Sequence, residues 1–209
     1  MRRWAVTGPI GAGKSSVSAL LAARGAAVVD GDRLGHEVLA QPPLRTEVAR
    51  AFGPGVLVGD RVDRRALGRL VFADPAALAR LNALTHPALA ALAAARLDAL
   101  EQAGEHALAV FEAAVYFLLP SPPRMDLVVV VDAPPALRAR RLAASRGLDA
   151  AAAAARIAAQ SDWDGFWDRA DCTLVNDGTP ADLALAVDAL WRRHGPPGRE
   201  PSCQGDPLP

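Results

Sequence analysis

Gly8-Pro9-Ile10-Gly11-Ala12-Gly13-Lys14-Ser15 has the spacing G-x-x-x-x-G-K-S, in which glycines let successive backbone N–H groups converge on a phosphate. Such a loop needs a strand ahead of it and a helix behind it. Trp4-Ala5-Val6-Thr7 is a short apolar run suited to a buried parallel strand, and Val17, Leu20 and Leu21 follow at helical spacing. The helix adds its positive dipole end to the cradle formed by Gly8, Gly11, Ala12 and Gly13, with Ser16 in its first turn. Lys14 has the length to reach the β- and γ-phosphates of a nucleoside triphosphate, and the Ser15 hydroxyl is a ligand for Mg²⁺. Lys14 is also the only lysine among 23 lysines and arginines. A planar arginine fork cannot replace a compact ammonium in a tight phosphate loop, so this one substitution by lysine carries chemical meaning.

The second short apolar run, Ala26-Ala27-Val28-Val29, ends at Asp30-Gly31-Asp32. Two carboxylates therefore stand at a strand's C-terminal end, the sheet edge where α/β proteins bind ligands and where the phosphate loop lies. A capping role competes with a chemical one here, because Asp32 could start the helix expected over residues 33–40. A third strand, His106 through Phe111, ends at Glu112, where an acid orders a Mg²⁺ shell in P-loop proteins. Leu127-Val128-Val129-Val130-Val131-Asp132 is the most continuous buried strand, and after it comes an arginine-rich helix carrying Arg138, Arg140 and Arg141. Such a helix is either a solvated basic face or, beside a triphosphate, a lid.

The remaining composition narrows the class. With 209 residues, 51% hydrophobic and 22% charged, the chain can build one sizeable core with appendages. Its formal net charge is zero, which argues against nucleic acid or an anionic membrane as partner, and no obligate protein partner is indicated. Cys172 and Cys203 are too few and too far apart for a disulfide framework or a zinc site, which fits a reducing cytoplasm. The apolar run after Arg2-Arg3 is too short for a signal peptide, and nothing approaches the roughly 20 apolar residues of a membrane span.

Between the second and third strands the pattern predicts helices over 44–52, 63–72, 74–84 and 87–103, with Asp74-Pro75 a clear helix start and no strand of comparable strength. Thr85-His86-Pro87 is expected to break two of these helices and leave His86 at a helix start. The alanine run at 150–155 favours helix, and Trp163, Phe166 and Trp167 form an apolar stripe read as packing. Cys172-Thr173-Leu174-Val175 is a last short strand closed by Asn176-Asp177-Gly178, followed by an amphipathic helix over 180–193 and a Pro/Gly-rich tail from 195 that is expected to be disordered.

Taken in order, these features resemble the dephospho-coenzyme A kinase family over roughly residues 4–194. Thr7 through Ser16 is similar to its T-G-G-I-G-S-G-K-S-T, Val28-Val29-Asp30-Gly31-Asp32 to its V-I-D-A-D, and Leu84-Thr85-His86-Pro87 to its L-T-H-P. Val129 through Pro134 is similar to its entry into the lid, Arg141 and Arg146 fall on its R-x-x-x-x-R, Arg156 through Gln160 on its R-I-A-A-Q, and Asn176-Asp177-Gly178 on its N-D/N-G. One segment departs: where the family reads P-L-L-F-E, this chain has Ala114-Val115-Tyr116-Phe117-Leu118, so Ala114 replaces the proline and Leu118 the glutamate. The segment Trp163-Asp164-Gly165-Phe166-Trp167 also lacks the basic character common there.

The resemblance implies an α/β P-loop kinase of three layers with a mostly parallel five-stranded sheet. Its nucleotide core would be residues 1–40, 105–135 and 171–194, its helical acceptor lobe 41–104, and its lid with following helices 136–170. It implies ATP and Mg²⁺ as co-substrate and metal, and transfer of the γ-phosphoryl group to the 3′-hydroxyl of dephospho-coenzyme A. Asp32 would then accept or orient that hydroxyl, Asp30 and Glu112 would hold Mg²⁺ through water beside Ser15, Arg141 would close over the phosphates, and His86 with its lobe would bind the acceptor's nucleotide portion. The phosphate loop alone leaves open another small-metabolite kinase, and the altered Ala114 to Leu118 segment leaves open a catalytically weak nucleotide- or coenzyme A-binding regulator. The lack of an N-K-x-D motif argues against a switch GTPase.

Overall fold

In the computed structural model, which describes residues 1–146, 157 and 165–197, five parallel strands form one sheet. They are β1 (Arg2–Thr7), β2 (Ala27–Asp30), β5 (Leu108–Glu112), β6 (Leu127–Asp132) and β7 (Cys172–Val175), in the spatial order β2-β5-β1-β6-β7. All four pairings are parallel. Parallel neighbours need crossover helices, and these cover both faces, which is why the strands read as unbroken apolar runs. Alternate side chains sort between two cores. Trp4, Val6, Leu108, Val110, Val129 and Val131 face α1 (Lys14–Ala22) and α7 (Pro180–His194), with Trp4 edge-on to Trp191 at 6.3 Å. Ala5, Ala109, Phe111 and Val130 face the helices that follow β2.

Those helices are α2 (Gly31–Ala40), α3 (Pro42–Phe52), α4 (Arg64–Ala73) and α5 (Pro75–Ala103). The expected break at residues 85–87 does not occur: α5 runs 29 residues straight through Pro87. A proline inside a helix costs about 3 kcal/mol. Burying Leu89 and Leu97 against the same core as Ala90 and Ala93 returns roughly 1.5–3 kcal/mol per large side chain. Packing on both sides of Pro87, with Ala77 buried before it and Leu89, Ala90, Ala93 and Leu97 after it, therefore outweighs the lost backbone bond. Thr85 adds a local tie, its Oγ1 donating to Leu81 O at 2.9 Å. His86 consequently lies within a helix and not at its start.

The segment between α3 and α4 also holds an antiparallel pair, β3 (Leu57–Val58) and β4 (Arg61–Val62), around a Gly59-Asp60 turn. Two residues per strand are too few to show alternation, which is why the sequence pattern did not reveal it. Helix α6 (Pro135–Arg146) follows β6. Arg146 is the last described residue of that helix; the alanine run, Arg156, residues 158–160, Trp163 and the tail beyond 197 lie outside the described residues. Among the described residues no helix is long and apolar enough to cross a membrane.

Phe111 is fully buried in the second strand of the sheet, whereas Leu185 on α7 is 66% exposed. Phe111→Ala should lower unfolding free energy by about 3–5 kcal/mol and Leu185→Ala by less than about 0.5 kcal/mol, as read from urea titrations followed by tryptophan fluorescence.

Candidate active site

Because every strand of the sheet points the same way, the strand ends Thr7, Asp30, Glu112, Asp132 and Val175 share one edge. The register pairs Glu112 with both Val6 and Asp30. That alignment places the phosphate loop, the two aspartates and Glu112 around one cavity of about 770 Å³. Its walls include Gly11, Gly13, Lys14, Ser15 and Ser16 from the loop and first turn, Asp30 and Asp32 beyond β2, Glu112 to Ala114 beyond β5, and Arg141 from α6. A smaller cavity of about 410 Å³ runs along the free edge of β2 and shares Asp30, but no loop residue borders it. The phosphate loop therefore opens onto the larger one.

The cradle is shaped by Gly13, the residue before α1, at φ 102°. A Cβ there would adopt an unfavourable left-handed conformation and stand 2.1 Å from Asn176 Nδ2. Asn176 itself buttresses the loop, its buried Nδ2 donating to Ala12 O at 2.8 Å. Arg141 joins this lock, with Nη1 donating to Asn176 O at 3.0 Å and Nη2 to Asn176 Oδ1 at 3.2 Å. Lys14 Nζ donates to Gly8 O and Pro9 O at 3.0 and 3.2 Å, so its ammonium is stationed over the loop it serves. On α6, burial lowers the pKa of Arg138, partly offset by Asp132. The Arg138 backbone packs against Gly11. Asn176 was not singled out as a site residue in the sequence; its signal was the polar Asn-Asp-Gly turn at the same sheet edge as the loop.

The competing capping role falls to the other aspartate. Asp30 Oδ1 accepts from Asp32 N at 2.8 Å and Arg33 N at 3.1 Å, starting α2. This anchors Asp32 in the first helical turn, exposed, with its carboxylate on the cavity wall. Across the cavity Ser15 Oγ donates to Glu112 Oε1 at 2.8 Å. Among the described residues no cluster of three or more His, Cys, Asp or Glu side chains can hold a metal by itself. The hydroxyl and carboxylate oxygens of Ser15, Glu112 and Asp30 instead suit an ion such as Mg²⁺ that keeps most of its water and takes other ligands from phosphate.

His86 is not on this wall. It is buried in α5, and its Nδ1 hydrogen-bonds Leu118 O at 3.1 Å, in the loop after β5. Burial pulls its pKa below the ordinary value, partly opposed by that bond.

A phosphate loop opening a five-stranded parallel sheet, with carboxylates opposite it and a basic helix alongside, defines a P-loop kinase. A family model described as dephospho-CoA kinase matches residues 4–182. A dephospho-CoA kinase from Leifsonia xyli is 44% identical over 89% of this chain and 95% of its own length, and one from Deinococcus radiodurans is 42% identical over 92% of each. A solved structure from Thermus thermophilus, TT1252, superposes with a TM-score of 0.71 at 36% identity, covering 92% of this chain and 97% of the other. Dephospho-CoA kinase from Campylobacter jejuni has the same fold, with a TM-score of 0.58 at 23% identity over 92% and 96% of the two chains. The chain belongs to the dephospho-CoA kinase family.

Two outcomes follow. Gly13→Ala should weaken binding of a fluorescent ATP analogue at least tenfold, because strain and the displaced Asn176 both deform the cradle. The lowered His86 pKa means the unfolded chain takes up its proton first as pH falls. Stability present above about pH 6.5 is thus lost below it, down to the folded pKa. Urea midpoints measured between pH 7.5 and 5.5 should fall more steeply in the wild type than in His86→Asn.

Proposed function

We propose that the cavity transfers the γ-phosphoryl group of ATP to the 3′-hydroxyl of dephospho-coenzyme A with Asp32 as the group that receives or orients the hydroxyl proton. The observation that carries this reading is Asp32 itself, free of the capping role and lining one cavity with Lys14 and Ser15. The hydroxyl oxygen forms the new bond to phosphorus while the bond to the β–γ bridging oxygen breaks, so ADP leaves. The hydroxyl proton passes to Asp32 or to water held by it. The backbone N–H groups of Gly11, Ala12, Gly13, Lys14, Ser15 and Ser16, opened by the turn at Gly8, bind the phosphates, and the Lys14 ammonium offsets their charge. Ser15 would hold Mg²⁺ directly, with Asp30 and Glu112 reaching it through water, and the ion would supply neutralisation of phosphate charge.

Residues 1–40, 105–135 and 171–194 serve as the nucleotide core. Residues 136–170 act as a lid in which Arg141 stabilises the transferring group and shuts out water. Acceptor binding is assigned to Asp32 and to the lobe 41–104 that carries His86. Two separated cysteines and a zero net charge support a cytoplasmic site of action on a small molecule.

The test is ADP release with Mg²⁺-ATP, with coenzyme A followed by mass. Asp32→Asn should lower kcat by about 10²–10⁴-fold while ATP affinity stays within about threefold, and Lys14→Ala should weaken both. Normal turnover in Asp32→Asn removes it from the proton-accepting role.

A further inference from the structure

We infer that His86 is a positioning residue that sets the acceptor side of the site by seating the loop after β5. This rests on the reading of the cavity as the place of phosphoryl transfer to dephospho-coenzyme A.

The loop is a short, internally bonded strut. Tyr116 N donates to Ala113 O at 3.4 Å, Leu118 N to Val115 O at 2.9 Å and Leu119 N to Tyr116 O at 3.3 Å, while Ala113 N ties the start of the loop to Val6 O of β1 at 3.1 Å. At one end, Ala113 and Ala114 line the cavity. Ala113 is also packed so closely on the start of α2 that a Cβ on Gly31 would fall 2.8 Å from the Ala113 methyl and 2.8 Å from Glu112 O. Gly31 is the neighbour of Asp32. At the other end, His86 fixes Leu118 O. Contacts therefore link His86 through Leu118, Tyr116 and Ala113 to Gly31, the chain neighbour of Asp32.

A second hold acts on the same strut. Arg169 lies 4.7 Å from the Phe117 ring centroid and donates from Nη1 to Phe117 O at 3.4 Å, while Phe166 stacks on Phe117 at 5.3 Å. Tyr116 Oη donates to Pro123 O at 3.2 Å. In this chain, where Ala114 and Leu118 replace the proline and glutamate of the family pattern, stiffness comes from aromatic packing and from the carbonyl of Leu118. A carbonyl is present whatever side chain stands at 118, so the His86 contact survives that change. In neutral His86 the bond to Leu118 O requires the proton on Nδ1.

His86→Asn keeps a donor near the position of Nδ1, and His86→Leu keeps bulk without a donor. With ATP saturating, His86→Leu should lower kcat/KM for dephospho-coenzyme A at least tenfold while the KM for ATP changes less than twofold, and His86→Asn should recover to within about threefold of wild type. Hydrogen exchange at amides 113–119, which needs no turnover, should quicken in His86→Leu and return in His86→Asn. Equal losses in both variants, an equal rise in the KM for ATP, or unchanged kinetics and exchange in His86→Leu would overturn the inference. If His86→Leu does not fold, Arg169→Met releases the strut from the other side and should give the same acceptor-selective loss; unchanged acceptor kinetics there would also overturn it. Wild-type protein lacking acceptor-dependent ADP release would contradict the proposed function instead, leaving the exchange result to judge the seat.

Discussion

The carbonyl of Ala12 is the point on which the site depends. Asn176 and Arg141 both donate to it, at 2.8 and 3.4 Å, so the loop after β1, the turn after β7 and helix α6 meet at one oxygen. A phosphate loop works only if its N–H groups already point inward, since reorganising them on binding would consume the interaction they provide. The Asn176 amide supplies that rigidity from behind, leaving the inner face clear. The absence of a side chain at Gly13 is what lets Asn176 approach.

Sheet order sets the distance between donor and acceptor groups. Because β5 lies between β1 and β2, the loop and Asp32 rise from strands two places apart, with Glu112 on the strand between them. The cavity of about 770 Å³ opens between them. Asp30 and Asp32 then divide the work: one carboxylate caps α2 and so fixes the backbone, which holds the other in the helix's first turn and on the cavity wall. Two acids two residues apart need such a division, because a side chain spent on backbone N–H groups is less available for catalysis.

Much of this was legible in the sequence because it is local. The spacing from Gly8 to Ser15, the apolar runs of the five strands and the Asp-Pro start of α5 are each written within a few residues. Non-local features were not. The passage of α5 through Pro87 depends on side chains buried ten residues away, and the Asp30 cap could be told from an Asp32 cap only by the direction of α2. His86 was legible as a chemically capable residue, but its partner is a backbone carbonyl 32 positions on, and backbone atoms leave no mark in a sequence. The Asn176 turn was legible too, but its buttressing role was not, since its partner is also a carbonyl, that of Ala12.

The central claim is that the loop and Asp32 serve one reaction in one cavity. It is tested most directly by incubating the protein with ATP labelled in the γ-phosphoryl group and dephospho-coenzyme A, then locating the label. The account predicts label on the ribose 3′-oxygen of coenzyme A, formed one for one with ADP, and no transfer to an acceptor lacking that hydroxyl. Label released as inorganic phosphate at the same rate with or without acceptor would contradict it.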